Sequence, residues 1–475
     1  MMLWNLVLLS CAALVVADPN PLLSFPIWKA TLYPNSEEVP SWNSPCFENN
    51  HAILNLTARG GKIHFTSRDK VDRLCHDTWL IADEDQFFIK EIEFEGTHTI
   101  DIKEWQDGEL EDVNYFGLQI FLITDGMVGE IEDLYAFYQY FKPQDNDTAE
   151  MVVEFLEEYA GFTFELRPQG NQVFIPDEKD IKSGDYLAIT DLYKGLGMLI
   201  QYGTGSRTSH TAVALWDNDQ LFICESADPK IVCTPYQEWM TNRCNEDSPY
   251  LLSILRLAPE FQSKFDEKAA WKFADSLVGL PYGYQNFIFG WIDTPTDNYA
   301  WPLSSEFLQV AFPVVEKINP EWAIIYLDSF NLRMGTNNFT TEEIFHLLED
   351  RNMTFDHLMN IVESDDFVYP RIPSPGRAVT CDSFVMAVYK AAGVLGDFAD
   401  YLQASEFTPK DSYQIALFDS NWEKPAGCPA QFPYCQVSGK YWQTLDGFNS
   451  IPMYRYMNEH CGALPTAYTR QPEGC

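Results

Sequence analysis

A histidine inside an apolar strand and a cysteine at the start of an amphipathic helix constrain this chain more than any other feature. His210 lies in Ser209-His210-Thr211-Ala212-Val213-Ala214-Leu215-Trp216, which reads as a buried strand. Cys381, about 170 residues later, lies in Thr380-Cys381-Asp382-Ser383-Phe384-Val385. That run reads as the first turn of a helix reaching about Ala392, with Gly393 as its stop. A thiol at a helix N-terminus is drawn toward thiolate by the free backbone N–H groups and the helix dipole. A strand histidine can serve as its base. For the two to work together, the fold must carry a sheet strand and a distant helix start to one place.

The hairpin after His210 offers a third member. With Asp217-Asn218 as a two-residue turn, Trp216 faces Asp219 and Glu225 stands directly opposite His210. Opposed residues have Cβ atoms about 4.5–5.5 Å apart. A four-residue loop offsets the two side chains on one face, whereas a three-residue loop puts them on opposite faces. A carboxylate at that place can hold one imidazole nitrogen and leave the other for a thiol. Against this stands the bland reading: a lone strand histidine is usually a satisfied core residue, and a helix-start cysteine is often merely small and buried. Glu225 is harder to dismiss, because a buried carboxylate is costly without a partner. Ser209 is a competing nucleophile, but as a strand neighbour of His210 it points to the other face.

Other motifs carry less. Gly195-Leu196-Gly197 and Gly203-Thr204-Gly205-Ser206 match neither phosphate-loop pattern and read as a flexible loop beside the site. His51, His64, His76 and His98 are scattered, no His-x-x-x-His occurs, and the cysteines are too dispersed for a zinc site, so no metal or other cofactor is expected.

The start of the chain reads as a secretory signal over residues 1–17, with an apolar run from Leu6 to Val16 that is too short to span a bilayer. No later stretch is long and apolar enough to cross a membrane. The expected compartment is secreted, lysosomal or vacuolar. Formal charge is 31 − 70 = −39, which disfavours nucleic acid and anionic membrane surfaces as partners. Ten cysteines remain after Cys11, and secretion favours disulfides. Proximity pairs Cys46 with Cys75, Cys233 with Cys244, Cys428 with Cys435 and Cys461 with Cys475. That leaves Cys224 and Cys381 as thiols. Sequons at Asn55, Asn146, Asn338 and Asn352 mark candidate glycosylated surface positions.

The expected fold class is α+β. Residues 18–147 are β-rich, with strands such as Ala52–Leu56, Phe87–Phe94, 98–102 and 116–123, and read as a small β-sandwich. Residues 148–424 alternate strands and helices, interrupted by a helical insertion at about 290–370 with helices near 303–316 and 341–363. Residues 425–475 form a Cys-rich, aromatic tail.

The ordered set Ser183-Gly184-Asp185, Ser209 to Val213, Phe222 to Ala227, Gly279-Leu280-Pro281-Tyr282 and Thr380 to Val385 resembles the circularly permuted papain-like amidases, relatives of the NlpC-type peptidases. Papain-like enzymes in the ordinary order place cysteine before histidine, so only a permuted form accommodates this chain. The resemblance covers about 180–290 and 375–395, and implies a permuted papain-like domain with an antiparallel sheet. It implies His210, Glu225 and Cys381 as catalytic base, orienting acid and nucleophile, and Tyr282 at the substrate. The link of 290–370 is much longer than is usual there. The implied activity is a cysteine hydrolase of peptide, cell-wall-type or N-acyl amides. An acyltransferase using the same acyl-enzyme is the near alternative, and a non-catalytic secreted binding protein the more distant one. Oligomeric state is left open by the sequence.

Overall fold

The computed structural model describes residues 26–123, 149–285, 305–361 and 379–455, apart from 35, 37–38, 84–85, 107, 169–172, 194, 245–247, 319 and 360. The signal segment, Asn146, Cys461 and Cys475 therefore lie outside the described residues. Helices and antiparallel sheets make the chain α+β.

Two four-stranded antiparallel sheets come first. One holds β1 (Ile27–Leu32), β5 (Asp77–Ala82), β6 (Phe87–Ile92) and β8 (Leu118–Ile123), in the order β1-β8-β5-β6. The other holds β2 (Ser41–Trp42), β3 (Phe47–Leu56), β4 (Gly61–Lys70) and β7 (Gly96–Ile102), in chain order. Phe47, Leu54, Ile63 and Phe65 of the second sheet pack against Trp79, Ile81, Ile120 and Leu122 of the first. Helix α1 (Glu109–Phe116) precedes β8, so the strand expected from 116 begins two residues later.

β5 and β8 are buried along their whole length, apolar but for Asp77, Thr78 and Gln119. Leu80 and Phe121 point away from the sandwich core and meet Val152, Phe155 and Leu156 of α2 (Ala149–Tyr159). The same cluster includes Met198, Leu199 and Tyr202 of α3 (Gly195–Thr204). The glycine-rich stretch is thus a buried helix and not a flexible loop. Gly197 explains its composition: a Cβ there would sit 2.8 Å from the Asp191 carbonyl oxygen and 3.1 Å from Ser209 Oγ. The glycine lets this helix lie directly on the strands of the next sheet.

That sheet is the centre of the molecule. It has β9 (Tyr186–Asp191), β10 (His210–Asp217), β11 (Gln220–Ser226), β12 (Ile231–Pro235), β13 (Tyr250–Leu255) and β14 (Cys435–Ser438). Their order is β12-β11-β10-β9-β13-β14, antiparallel throughout. The sixth strand comes from the Cys-rich tail, which is part of the sheet and not an appendage. Side chains alternate between two cores. Ala212, Ala214 and Ile223 face α4 (Tyr236–Arg243), meeting Trp239 and Met240. Val213, Leu215 and Cys224 face two helices. The first is α6 (Glu267–Leu277), which follows the short α5 (Pro259–Gln262). The second is the cysteine helix, which starts at Cys381.

α7 (Ser305–Ile318), α8 (Pro320–Met334), α9 (Thr341–Arg351) and α10 (Phe355–Met359) build the expected insertion around a core of their own, with Phe312, Tyr326, Phe330 and Phe355 inside. α11 (Cys381–Ala391) follows, then α12 (Pro409–Gln414). Gly393, at φ 77°, ends α11 where expected.

Disulfides join Cys46 to Cys75 and Cys428 to Cys435, as proximity predicts. The third joins Cys224 to Cys233, not Cys233 to Cys244. Cys224 and Cys233 are directly opposed on β11 and β12, with Cα atoms 4.0 Å apart. Cys244 instead caps α4 as a free buried thiol beside Met240. Strand pairing decides the partner here, and nearness in sequence does not. Asn55, Asn338 and Asn352 are all exposed. No helix among the described residues is long and apolar enough to cross a membrane.

Candidate functional site: a histidine–glutamate pair and a helix-start thiol

His210 opens β10, and Glu225 lies one residue from the end of β11. The hairpin between them turns at Asn218-Asp219, with Asp217 opposite Gln220 and Asn218 at φ 51°. This shifts the expected register by two residues, so Glu225 is not directly opposite His210. A shift of two preserves the face, because side chains alternate with period two. The pair therefore still meets: His210 Nε2 lies 2.7 Å from Glu225 Oε2.

Glu225 is buried, and both its oxygens are occupied. The Trp239 indole N–H donates to Oε1 at 2.8 Å, and Arg243 Nη2 donates to the same oxygen at 2.9 Å. Burial alone raises the Glu225 carboxyl. Its bond to His210, the charges of His210 and Arg243, and the Trp239 donor outweigh that and lower it from 4.5 to about 2. The carboxylate is therefore ionised and fixed. With Nε2 held, Nδ1 is the histidine nitrogen left for another partner. Trp239 and Arg243 sit four apart on α4, on one face, which is how one short helix supplies both donors. No sequence motif announces them, since α4 reaches Glu225 only through the β11–β12 fold-back.

The thiol is built from the other side. Thr380 caps α11, its Oγ1 accepting from the Ser383 N–H. Cys381 follows as the first helical residue, free and buried. Two anchors fix the approach to this helix. Ser226 Oγ, next to Glu225, donates to the Val379 carbonyl at 2.7 Å, and the Gly283 N–H donates to the same oxygen at 3.0 Å. The β10–β11 ladder is paired from Asp217–Gln220 to Val213–Cys224. Past that point the helix start meets the strand ends. The Thr211 backbone N–H faces the Cys381 sulfur, so the thiol lies against the peptide group that follows His210.

The remaining partners of the thiol are close at hand. The Tyr282 hydroxyl donates to Sγ at 3.9 Å, and the thiol donates to Asp382 Oδ2 at 3.2 Å. His210 is not among these hydrogen-bond partners. The structure thus joins His210 to Glu225 on the α4 face of the sheet, where His210 pairs with Ile189, and Cys381 to Tyr282 on the α11 face, where Thr211 pairs with Ala188. The expected facing of thiol and imidazole is not met at rest, and the two halves meet only across the Thr211 peptide. The expected drift toward thiolate is also overturned. Burial raises the thiol well above its ordinary value, and the neighbouring Asp382 carboxyl adds to the rise. Tyr282 and the Thr211 N–H act in the opposite direction. The helix N-terminus does not outweigh desolvation here.

Ser209 takes no part. Its hydroxyl accepts from the Asp191 N–H at 2.8 Å, at the C-terminal end of β9. No group of three or more histidine, cysteine, aspartate or glutamate side chains among the described residues is arranged to hold a metal ion.

No family model and no curated protein matches the chain. Among solved structures, the metalloprotein yiiX of Escherichia coli O157:H7 is similar over 35% of this chain and 92% of its own, at 18% identity and a TM-score of 0.18. Nothing about this chain follows from a similarity at that score.

Proposed function

We propose that this chain is a cysteine hydrolase of amide bonds, on a permuted papain-like domain, acting in a secreted or lysosomal compartment. One observation carries the reading. A buried, ionised Glu225 holds Nε2 of His210 and leaves Nδ1 uncommitted, and the next residue of the strand, Thr211, lies against Cys381. Three disulfides among the described residues fit an oxidising compartment.

The steps follow from these groups. The Cys381 thiol and the His210 ring reach one another round the open end of β10, the sulfur staying within reach of Asp382, and Nδ1 takes the thiol proton. The thiolate attacks the amide carbonyl and forms the C–S bond. Negative charge on the carbonyl oxygen is met by the backbone N–H of Cys381, one of the donors left open in the first turn of α11. The imidazolium, steadied by Glu225, gives its proton to the leaving nitrogen as the C–N bond breaks. Water, deprotonated by the neutral imidazole, then releases the acid and restores the thiol. Tyr282, already against the sulfur, lines the acyl site. Peptides with γ-linked or cell-wall-type amides and N-acyl amides fit this chemistry. An amine or alcohol in place of water makes the same centre an acyltransferase.

A second reading has one observation in its favour: the thiol is held by Asp382 and raised by burial, as in an inert core cysteine. On that reading the chain is a secreted binding protein. Amine release from a panel of peptides and N-acyl amides separates the two. The hydrolase predicts release that is lost in Cys381→Ala. No release from the native protein, or release undiminished in Cys381→Ala, overturns it.

A further inference from the structure

Asp382 has no part in the steps above, yet it touches the atom on which they turn. It is 3% exposed, and one oxygen accepts from the Cys381 thiol at 3.2 Å. Its other oxygen, Oδ1, is buried and makes no hydrogen bond of ordinary length, although the Thr211 side chain stands beside the carboxyl as a neutral donor. The titratable groups facing it are Cys381 on its own helix, Asp411 on α12, Tyr186 on β9, and Tyr282 beside the sulfur. Each of these is neutral or acidic. Asp411 is itself committed as an acceptor to the Thr408 N–H and hydroxyl, at 2.8 and 2.6 Å, and so repels a second negative charge. Burial without a cation, beside another carboxylate, favours the protonated acid.

We propose that Asp382 is a second acid–base partner of the Cys381 sulfur: a neutral carboxylic acid that donates to the sulfur when the thiol ionises, and that opposes the thiolate once it has lost its own proton. The proposal rests on Cys381 being the nucleophile, but its test reads the thiol directly. In the resting pair the S–H donates to Oδ2 and the acid proton sits on Oδ1. When His210 takes the thiol proton, the carboxyl turns about its Cβ–Cγ bond and its O–H donates to S⁻. No proton is created or lost; the carboxyl stays neutral, and the sulfur gains a donor beside Tyr282 and the Thr211 N–H. Burial and Asp411 raise the Asp382 carboxyl to about 8. The reactive state thus belongs to acidic and neutral conditions and fades as Asp382 ionises.

The experiment is alkylation of the full chain by iodoacetamide from pH 4 to 10, with Cys381 followed by peptide mass spectrometry. Asparagine keeps a donor and carries no charge. Asp382→Asn is expected to move half-maximal alkylation of Cys381 down by about one pH unit or more, a tenfold gain in thiolate at fixed pH. Asp382→Ala removes the charge and the donor together and is expected to fall between. In the native protein, the infrared carbonyl band of one carboxylic acid should persist at pH 6 and vanish above about pH 8. That band should shift in Cys381→Ala. An unchanged alkylation midpoint in a folded Asp382→Asn overturns the proposal. If that variant does not fold, absence of a pH 6 acid band that responds to Cys381→Ala overturns it instead. Neither readout needs a substrate, so a protein that hydrolyses no amide can still pass this test.

Discussion

Glu225 and Asp382 are both buried carboxyl groups, each beside one of the two candidate reacting side chains, and their environments drive them opposite ways. Glu225 gathers His210, Arg243 and Trp239, and is lowered to about 2. Asp382 has a thiol and the Thr211 side chain as neutral neighbours, Asp411 nearby and no cation, and is raised to about 8. Burial is shared, so the donors make the difference. One side of the centre holds a fixed negative charge that can steady an imidazolium. The other holds a proton that a thiolate can use. The comparison teaches that a charge inside this sheet region is set by which helix faces it: α4 brings an arginine and an indole, whereas α11 and α12 bring acids.

The largest effect should come from removing either reacting group. Cys381→Ala and His210→Ala should each lower amide turnover by about 10⁴-fold or more, and the double variant should lose little beyond that. Additive losses, measured as kcat/KM, would show that the two sides do not act together. Glu225 comes next. Glu225→Ala removes the imidazole's partner and leaves the Trp239 and Arg243 donors facing an apolar gap. It should cost about 2–4 kcal/mol in urea unfolding at pH 7, and about a hundredfold in turnover. Glu225→Gln keeps the shape and should be milder on both counts.

A smaller effect distinguishes the carboxyls by sign. The Glu225 contribution is present above its unfolded value of 4.5 and is lost as pH falls through about 2. Asp382 runs the other way: its neutral form favours the fold below 3.8, and that advantage is lost as pH rises through about 8. The native protein should therefore be most stable near pH 4–5 and weaken toward pH 8. Asp382→Asn should flatten that decline, raising Tm at pH 8 by on the order of a few degrees, with little change at pH 4. A Tm profile unchanged by the substitution would remove the contrast. The smallest effect is Trp239→Phe, which takes one donor from Glu225 and should slow turnover by only a few fold.

Much of this contrast was legible in the sequence, though unevenly. His210, Glu225 and Cys381 each stand on the element expected for them, because period-two alternation and a threonine cap are local signals. The hairpin was misplaced by one turn position, since Asp217, Asn218 and Asp219 all tolerate tight turns. The face of Glu225 survived because the register moved by two. Trp239, Arg243 and the Cys224–Cys233 bridge were not legible, because they depend on β12 folding back beside β11. Asp382 was visible as the residue after Cys381. In sequence it reads as an acid suited to a helix N-terminus. Only the packing of α11 against β10 and the nearness of Asp411 show that it is buried without a cation.

The central claim is that His210 and Cys381 form one reactive centre across the strand end, although they are not hydrogen-bonded to one another at rest. An activated acyl ester applied to the native protein at pH 5–7, with the adduct mapped by mass spectrometry, tests this most directly. The account predicts a single acyl-enzyme adduct on Cys381 that forms at least a hundredfold more slowly in His210→Ala. Acylation of Cys381 at an unchanged rate in His210→Ala, or an adduct on Cys244 or Ser209 in its place, would contradict it.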